Sequence, residues 1–234
     1  MSTVVAEHRK MPGDEVPELC NGDRLTQPEF HRRYEALPDD DRFELIGGVV
    51  YMASPLGLPH GTCHTRLSLV LSHYQAATPG TEHADNTTVI LGEESEPQPD
   101  SLLMILPEYG GQTRLHRRRY ILGAPEFVAE VAHSSRAVDL HLKKADYQKA
   151  GVVEYLVVCL EEMELQWFSF KPRRAIVAGK DGIFRSRVFP GLWIDGPALL
   201  ARDSSRLLQV VGQGIASSEH AAFVERMHSQ RRRR

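Results

Sequence analysis

Two acidic residues lie within or beside segments that otherwise have the composition of buried strands. Glu130 falls inside the apolar run Phe127–Val131, and Asp100 directly precedes the run Ser101–Leu106. A buried carboxylate without a partner is unstable, and two close carboxylates repel each other unless they share a cation. If neighbouring strands bring the two acids together, the oxygen-rich pocket suits Mg²⁺, which binds few protein carboxylates and keeps several waters. Such an ion polarises a phosphate and activates water, which indicates phosphoester hydrolysis.

Lys143 is the basic residue best placed to complete such a pocket. It lies on a predicted helix that directly follows the strand of Glu130. Asp139, Lys143 and Tyr147 are spaced four residues apart, so they share one face of that helix. An ammonium group there would stabilise negative charge at the phosphate or position the attacking water.

The same residues also have a purely structural interpretation. Glu130 would then be a strand acid paired with Lys143 or Arg136, and Asp100 would cap the turn after Pro99. Carboxylates separated by a long stretch of chain are not a specific signal, because nothing local requires them to meet. Residue types and spacing alone favour this structural interpretation.

The elements that must position these side chains are a mixture of strands and helices. Two β-prone runs joined by Gly47-Gly48 predict a hairpin, because both turn positions can require positive φ. Gly151 is expected to end a helix as a C′ glycine. The element order predicts an α/β (α+β) domain in which helices flank a mixed central sheet. The predicted elements are helices over 26–37, 60–77, 134–150 and 197–211, strands over 87–91, 101–106, 127–131 and 154–160, and an antiparallel meander over 165–189.

Length and composition are those of an ordinary globular protein. The chain has 234 residues, of which 41% are hydrophobic, and this excludes wholesale disorder and a disulfide-stabilised miniprotein. Residues 1–22 are polar and aperiodic and are predicted to form a flexible arm, followed by one domain over 23–200. Residues 201–234 are predicted to form a C-terminal helical extension and a basic tail.

Cysteine usage and hydropathy indicate the compartment. The three cysteines form no CxxC pair, which is typical of a reducing environment. The first residues contain no apolar core of a signal peptide, and no apolar run is long enough to cross a bilayer. We therefore expect a cytoplasmic protein that does not associate with membranes.

The net charge of −3 provides no general attraction to nucleic acid, so such a contact must come from a local patch. The densest basic cluster inside the domain comprises Arg114, Arg117, Arg118 and Arg119. It could contact phosphates near the cleft, or it could be a solvated loop whose charges aid solubility. Both interpretations stay open.

Two histidines have the spacing of a zinc pair. His60 and His64 are four residues apart on a predicted helix. The segment HGTCH lacks the catalytic glutamate of the HExxH motif, and no third ligand is evident. A zinc site is therefore not predicted from this pair.

Five stretches of the chain resemble, in the same order, segments of the Uma-two family. The resemblance covers about residues 26–200, and the family comprises candidate restriction endonucleases of the PD-(D/E)xK nuclease superfamily. The stretches are RFELIGGVVYMASPLGLPHG, EPQPDSLLMI, GAPEFVAEVAHSS, the Asp139/Lys143/Tyr147 helix with AGVVEYLVV, and VFPGLWID.

The resemblance implies a restriction-endonuclease-like αβββαβ core that binds Mg²⁺, with Mn²⁺ as an alternative. Asp100 matches the motif aspartate and Glu130 matches the second acid, so both are expected to bind the metal. Ala132 occupies the position of the superfamily lysine, whereas Lys143 on the following helix matches a displaced lysine of the family. Asp100, Glu130 and Lys143 are therefore the expected catalytic residues.

Two further residues match family positions. The resemblance implies that Glu44 is an additional acid near the metal and that His60 contacts the substrate or a metal ligand. The predicted function is metal-dependent hydrolysis of DNA phosphodiester bonds, by a C2 homodimer because cutting both strands requires two active sites. The displaced lysine and the acidic charge leave an alternative open, a nuclease-like module that binds nucleic acid or protein without cutting. Hydrolysis of a small phosphoester is a third possibility.

Overall fold

The computed structural model describes residues 16–38, 41–117, 119–133 and 135–231. Within these ranges the helices are α1 (Gln27–Tyr34), α2 (Leu58–Ala76), α3 (Lys144–Ala150), α4 (Gly196–Leu200), α5 (Ser204–Ile215) and α6 (Ser218–Arg231), with a 3₁₀ turn at Pro107–Tyr109 and a π-helical segment at Val138–Lys143. The strands are β1 (Phe43–Ile46), β2 (Val49–Met52), β3 (Thr81–Asp85), β4 (Val89–Ile90), β5 (Ser101–Ile105), β6 (Arg114–His116), β7 (Tyr120–Leu122), β8 (Phe127–Ala132), β9 (Glu154–Cys159), β10 (Glu164–Phe170), β11 (Arg173–Ile176), β12 (Ile183–Arg185) and β13 (Trp193–Asp195). None of the helices in this part of the chain has the length and apolar character that crossing a membrane requires.

The centre of the fold is a six-stranded mixed sheet with the order β11-β10-β9-β8-β5-β3. Strands β8 and β9 are parallel, whereas the other neighbours in the sheet are antiparallel. A parallel pair needs a crossover connection, which the π-helical segment and α3 provide. The chain order α2, β3, β5, β8, α3, β9 is the predicted αβββαβ core, so the predicted fold class is confirmed.

Helices cover both faces of the sheet, which explains why its central strands are so apolar. All residues of β8 and β9 are buried, as expected for strands packed on both sides. One face packs against the π-helical segment and α3, through Leu140 and Tyr147. The opposite face packs against α2, α5 and α6. The core residues from these three helices include Leu67, Val70, Leu71, Tyr74, Leu207, Val211, Phe223 and Met227.

The hairpin formed by β1 and β2 lies outside the central sheet and confirms the prediction from Gly47-Gly48. Both glycines have positive φ, at 57° and 76°, as two-residue hairpin turns often require. Leu45 on β1 forms an antiparallel bridge with Glu96, with amide-to-carbonyl distances of 3.2 and 2.8 Å. This bridge holds β1 against the segment that leads into β5.

Four parts of the chain differ from the prediction. The meander expected over 165–189 is interrupted, because β12 pairs with β13 in a separate two-stranded sheet and not with β11. The helix expected over 197–211 is divided into α4 and α5, because Arg202 adopts a positive φ of 63° and Asp203 caps α5 by accepting a hydrogen bond from the Arg206 amide. The sequence TEHAD of β3 does not alternate apolar and polar residues, so the sequence pattern does not predict this edge strand. The expected loop after β5 contains β6 and β7. Residues 1–15 of the predicted arm, Arg118, Ser134 and residues 232–234 of the basic tail lie outside the described residues.

Candidate active site

The antiparallel pairing of β5 with β8 brings Asp100 and Glu130 together. Ser101 pairs with Ala129. Asp100, which precedes Ser101, therefore lies next to Glu130, which follows Ala129. The Asp100 amide donates a hydrogen bond to Glu130 Oε2 at 3.3 Å, and Asp100 Oδ2 accepts one from the Val131 amide at 2.7 Å. The two acids therefore lie side by side at one end of the strand pair.

Two donors hold Glu130 from the side of the following helix. Lys143 Nζ lies 3.0 Å and the Tyr147 hydroxyl 2.8 Å from the same oxygen, Glu130 Oε1. All three side chains are buried. The other oxygen, Oε2, is the one that accepts the Asp100 amide. The predicted common face of Lys143 and Tyr147 is confirmed by this shared contact.

Lys143 lies among three acids. Its Nζ is 2.9 Å from Glu44 Oε1, 3.0 Å from Glu130 Oε1 and 4.0 Å from Asp139 Oδ1. The hydroxyl of Ser135 orients Asp139 by donating to Oδ2 at 2.6 Å. Only 8% of the Lys143 side chain is exposed, so these pairs lie in an interior where electrostatic interactions are stronger than in water.

His60 reaches the site from the first turn of α2. Its Nε2 lies 3.2 Å from Asp100 Oδ2. Its Nδ1 is buried and has no hydrogen-bond partner among the residues that the structure describes. The pKa of His60 is raised above its ordinary value because the ring bonds the Asp100 carboxylate. The structure thus brings His60 to the same acid that Val131 holds from β8.

Acids outnumber bases in this cluster, which contains the carboxylates of Glu44, Asp100, Glu130 and Asp139 around Lys143 and His60. Burial and the neighbouring acids raise the pKa of Glu130 well above its ordinary value, although Lys143 acts in the opposite direction. Burial alone would lower the pKa of Lys143, but the surrounding carboxylates, above all that of Glu130, raise it well above its ordinary value. For Asp100, burial is outweighed by the hydrogen bonds from His60 and Val131, which leave its pKa lowered. Crowded buried carboxylates of this kind favour the uptake of a proton or of a further cation.

The family comparison identifies the class of protein that carries this arrangement. The family model Uma2, described as "Putative restriction endonuclease", matches residues 28–199, which is most of the chain. The chain belongs to the Uma2 family. The family resemblance drawn from the five sequence stretches is thereby confirmed. No curated protein matches the chain.

A solved structure shares the fold of this Uma2 protein. It is described as a putative nuclease belonging to DUF820, from Anabaena variabilis. The two structures superpose with a TM-score of 0.51 at 12% sequence identity, over 77% of the Uma2 chain and 97% of the other. At this identity the likeness establishes the fold and assigns no role to any residue.

Two carboxylate oxygens at the Uma2 site have few hydrogen-bond partners among the described residues. Both hydrogen bonds to the Asp100 carboxylate reach Oδ2, so Oδ1 accepts none from the described residues. Within the described part of the chain, Glu130 Oε2 accepts only the 3.3 Å bond from the Asp100 amide. No group of three or more His, Cys, Asp or Glu residues in the described ranges is arranged to hold a metal. Mg²⁺ often binds through one or two carboxylates and completes its shell with water, so the oxygen pair fits this ion.

The described arginines of the basic cluster have side-chain contacts with Glu35 and Tyr120 and none with the two acids. Arg114 and Arg117 are exposed, and Arg117 pairs with Glu35 of the segment after α1 at 3.6 Å. The guanidinium of Arg119 lies 5.1 Å from the centre of the Tyr120 ring. No hydrogen bond or ion pair links these three arginines to Asp100 or Glu130 within the described residues, and Arg118 lies outside them.

Sequence reasoning did not assign site roles to Asp139 and Tyr147, although both contact the central cluster. The i, i+4 spacing around Lys143 places them on its helix face and is the signal that could have identified them. Gln98 was also missed, and its amide bonds Glu44 Oε1 at 2.7 Å. A backbone amide of this kind leaves no signal in the sequence.

Proposed function

We propose that this Uma2 protein is a metal-dependent endonuclease that hydrolyses DNA phosphodiester bonds. The observation that carries the proposal is the convergence of Asp100, Glu130 and Lys143, which come from the residue before β5, from β8 and from the helical segment after β8. Membership of a family described as restriction endonucleases and the likeness to a nuclease fold agree with it. A structural salt bridge alone does not account for the excess of acids over bases in the cluster.

Asp100 Oδ1 and Glu130 Oε2 are the atoms that would hold the ion, Mg²⁺ or Mn²⁺. The chemistry that such an ion supplies is polarisation of the phosphate and a lower pKa for bound water. Hydrogen bonds within the chain fix one oxygen of each carboxylate. The Val131 amide and His60 fix Oδ2 of Asp100, while Lys143 and Tyr147 fix Oε1 of Glu130. The remaining oxygen of each acid is therefore oriented before a ligand arrives.

Lys143 and His60 supply the remaining functions in this proposal. The Lys143 ammonium provides a fixed positive charge next to the acids, where it stabilises the charge that develops on a phosphate during displacement. His60 Nε2 donates to Asp100 Oδ2, and its buried Nδ1, which has no partner among the described residues, can accept a hydrogen bond from a water molecule. Direct attack by water requires no covalent intermediate.

We infer further that the active form is a C2 homodimer, because cutting both strands of a duplex requires two sites. Arg114, Arg117 and Arg119 are the candidate contacts to backbone phosphates. Sedimentation velocity on the free protein should show a dimer, and a monomer at all concentrations would contradict this part of the proposal.

The test of the proposed function is cleavage of plasmid and linear duplex DNA in Mg²⁺ or Mn²⁺. Three variants probe the site: D100N, E130Q and K143M. We expect each to lower the cleavage rate by about 100-fold or more, as is typical when a group that stabilises transition-state charge is removed. A matched control is E126Q, because Glu126 is also a buried acid beside β8 but bonds the amides of Ile105 and Gln112. Cleavage that survives all three site changes would contradict the proposal.

A second candidate function is nucleic-acid or protein binding without hydrolysis. It is favoured by the position of Lys143, whose two closest contacts are carboxylates at 2.9 and 3.0 Å. Wild-type protein that binds a DNA duplex in a gel-shift assay but cuts it in neither metal would support this alternative.

A further inference from the structure

Glu44 holds two different parts of the site with one oxygen atom. Its Oε1 accepts a hydrogen bond from the Gln98 amide at 2.7 Å and lies 2.9 Å from Lys143 Nζ. The residue comes from the hairpin strand β1, outside the central sheet. Its side chain is 17% exposed, so both contacts are largely shielded from solvent.

The contact with Gln98 fixes the chain immediately before Asp100. The Gln98 side chain bonds the hydroxyl of Tyr34 at 2.7 Å, and Leu45, next to Glu44, pairs with Glu96 through the backbone. The hairpin, α1 and the segment leading to Asp100 are thus joined around Glu44. A shift of this carboxylate would move the backbone of one acid and the ammonium of Lys143 together.

The contact with Lys143 determines how the ammonium is shared. Glu44 and Glu130 accept it at nearly equal distances, 2.9 and 3.0 Å. Without Glu44, Lys143 would rest on Glu130 and on Asp139, and its charge would be drawn towards the acid proposed to bind metal.

We propose that Glu44 is a positioning residue: its Oε1 holds Lys143 Nζ and the Gln98 amide, and with it the segment that leads to Asp100, in their places. The inference rests on the proposed function for its catalytic consequence, but the two contacts themselves are independent of it.

The variant E44Q tests this role because it keeps an oxygen acceptor and the side-chain length while it removes the charge. E44D is the second variant, because it keeps the charge and withdraws the oxygen by one methylene. E126Q again serves as the control. Three measurements are made on each protein: the ¹⁵N resonance of the Lys143 ammonium, assigned by its loss in K143R; calorimetric binding of Mn²⁺; and kcat and KM for DNA cleavage.

A positioning role predicts that the Lys143 resonance shifts or broadens in E44Q and E44D, and that both variants still bind Mn²⁺ at one site. Loss of one hydrogen bond to a charged group should lower kcat by about tenfold or more, with KM unchanged. Loss of the Mn²⁺ site in E44Q, to the extent expected for D100N and E130Q, would show that Glu44 acts as a ligand and would overturn the proposal. An unaltered Lys143 resonance with unaltered kcat would overturn it too, as would a wild-type ammonium that exchanges too fast to be detected.

Failure of the proposed function gives a different result. Wild-type protein would then cut no DNA in either metal, whereas the resonance and the Mn²⁺ titration would still decide whether Glu44 holds Lys143.

Discussion

Replacing Lys143 with methionine removes the ammonium that three carboxylates share. Its side chain is 8% exposed and that of Glu130 is 4% exposed, so the charges left behind cannot be hydrated without opening the site. Methionine has a similar length and preserves the packing of the aliphatic stem. Removing one partner of a buried ion pair costs about 3–5 kcal/mol, and we expect K143M to lose this much stability at pH 7.

The assay is urea unfolding at pH 7 and at lower pH, with K149M as the matched control. Lys149 also pairs with a glutamate, Glu94, but 75% of its side chain is exposed, so its loss should change stability little. Burial raises the pKa of Glu130 and Asp139, and loss of the ammonium raises both further. An acid whose pKa is raised by folding contributes more stability as the pH falls. The difference in unfolding free energy between the wild type and K143M should therefore become smaller at low pH. A K143M variant no less stable than K149M would refute this reasoning.

Three further predictions concern buried groups. Y147F removes the hydroxyl that bonds Glu130 Oε1 at 2.8 Å and should cost about 1.5–3 kcal/mol in urea unfolding; no loss would show that the bond is immaterial. Burial raises the pKa of Glu154 from 4.5 to about 7, so stability should fall by up to about 3 kcal/mol as the pH rises through that interval, and E154Q should flatten the profile. An equal slope in both proteins would contradict this assignment. F223A should cost about 3–5 kcal/mol, because Phe223 is buried against Phe189, and a thermal melt like that of the wild type would exclude α6 from the core.

The sequence predicts the parts of the site that depend on local pattern. Glu130 lies in an apolar run whose burial is required by its composition, and Gly47-Gly48 specify the hairpin turn by their need for positive φ. The spacing of Asp139, Lys143 and Tyr147 is enough to place them on one helix face. That Asp100 and Glu130 meet depends on the pairing of β5 with β8, which the family resemblance implies and the residues alone do not.

Other features depend on tertiary contacts that leave no local signal. The partner of Glu44 is decided by the way the hairpin packs through Leu45 on Glu96, so the sequence could not distinguish a metal ligand from a support for Lys143. The edge strand β3 is polar because it is only partly buried. The break between α4 and α5 follows from the backbone conformation of Arg202 and the capping side chain of Asp203.

Calorimetric titration with Mn²⁺ tests the central claim most directly, because it does not depend on finding the right DNA. If Asp100 and Glu130 together hold a divalent cation, the wild type and E126Q should bind Mn²⁺ at one site, and D100N and E130Q should lose that binding. Equal Mn²⁺ binding by all four proteins, or none by the wild type, would contradict the account.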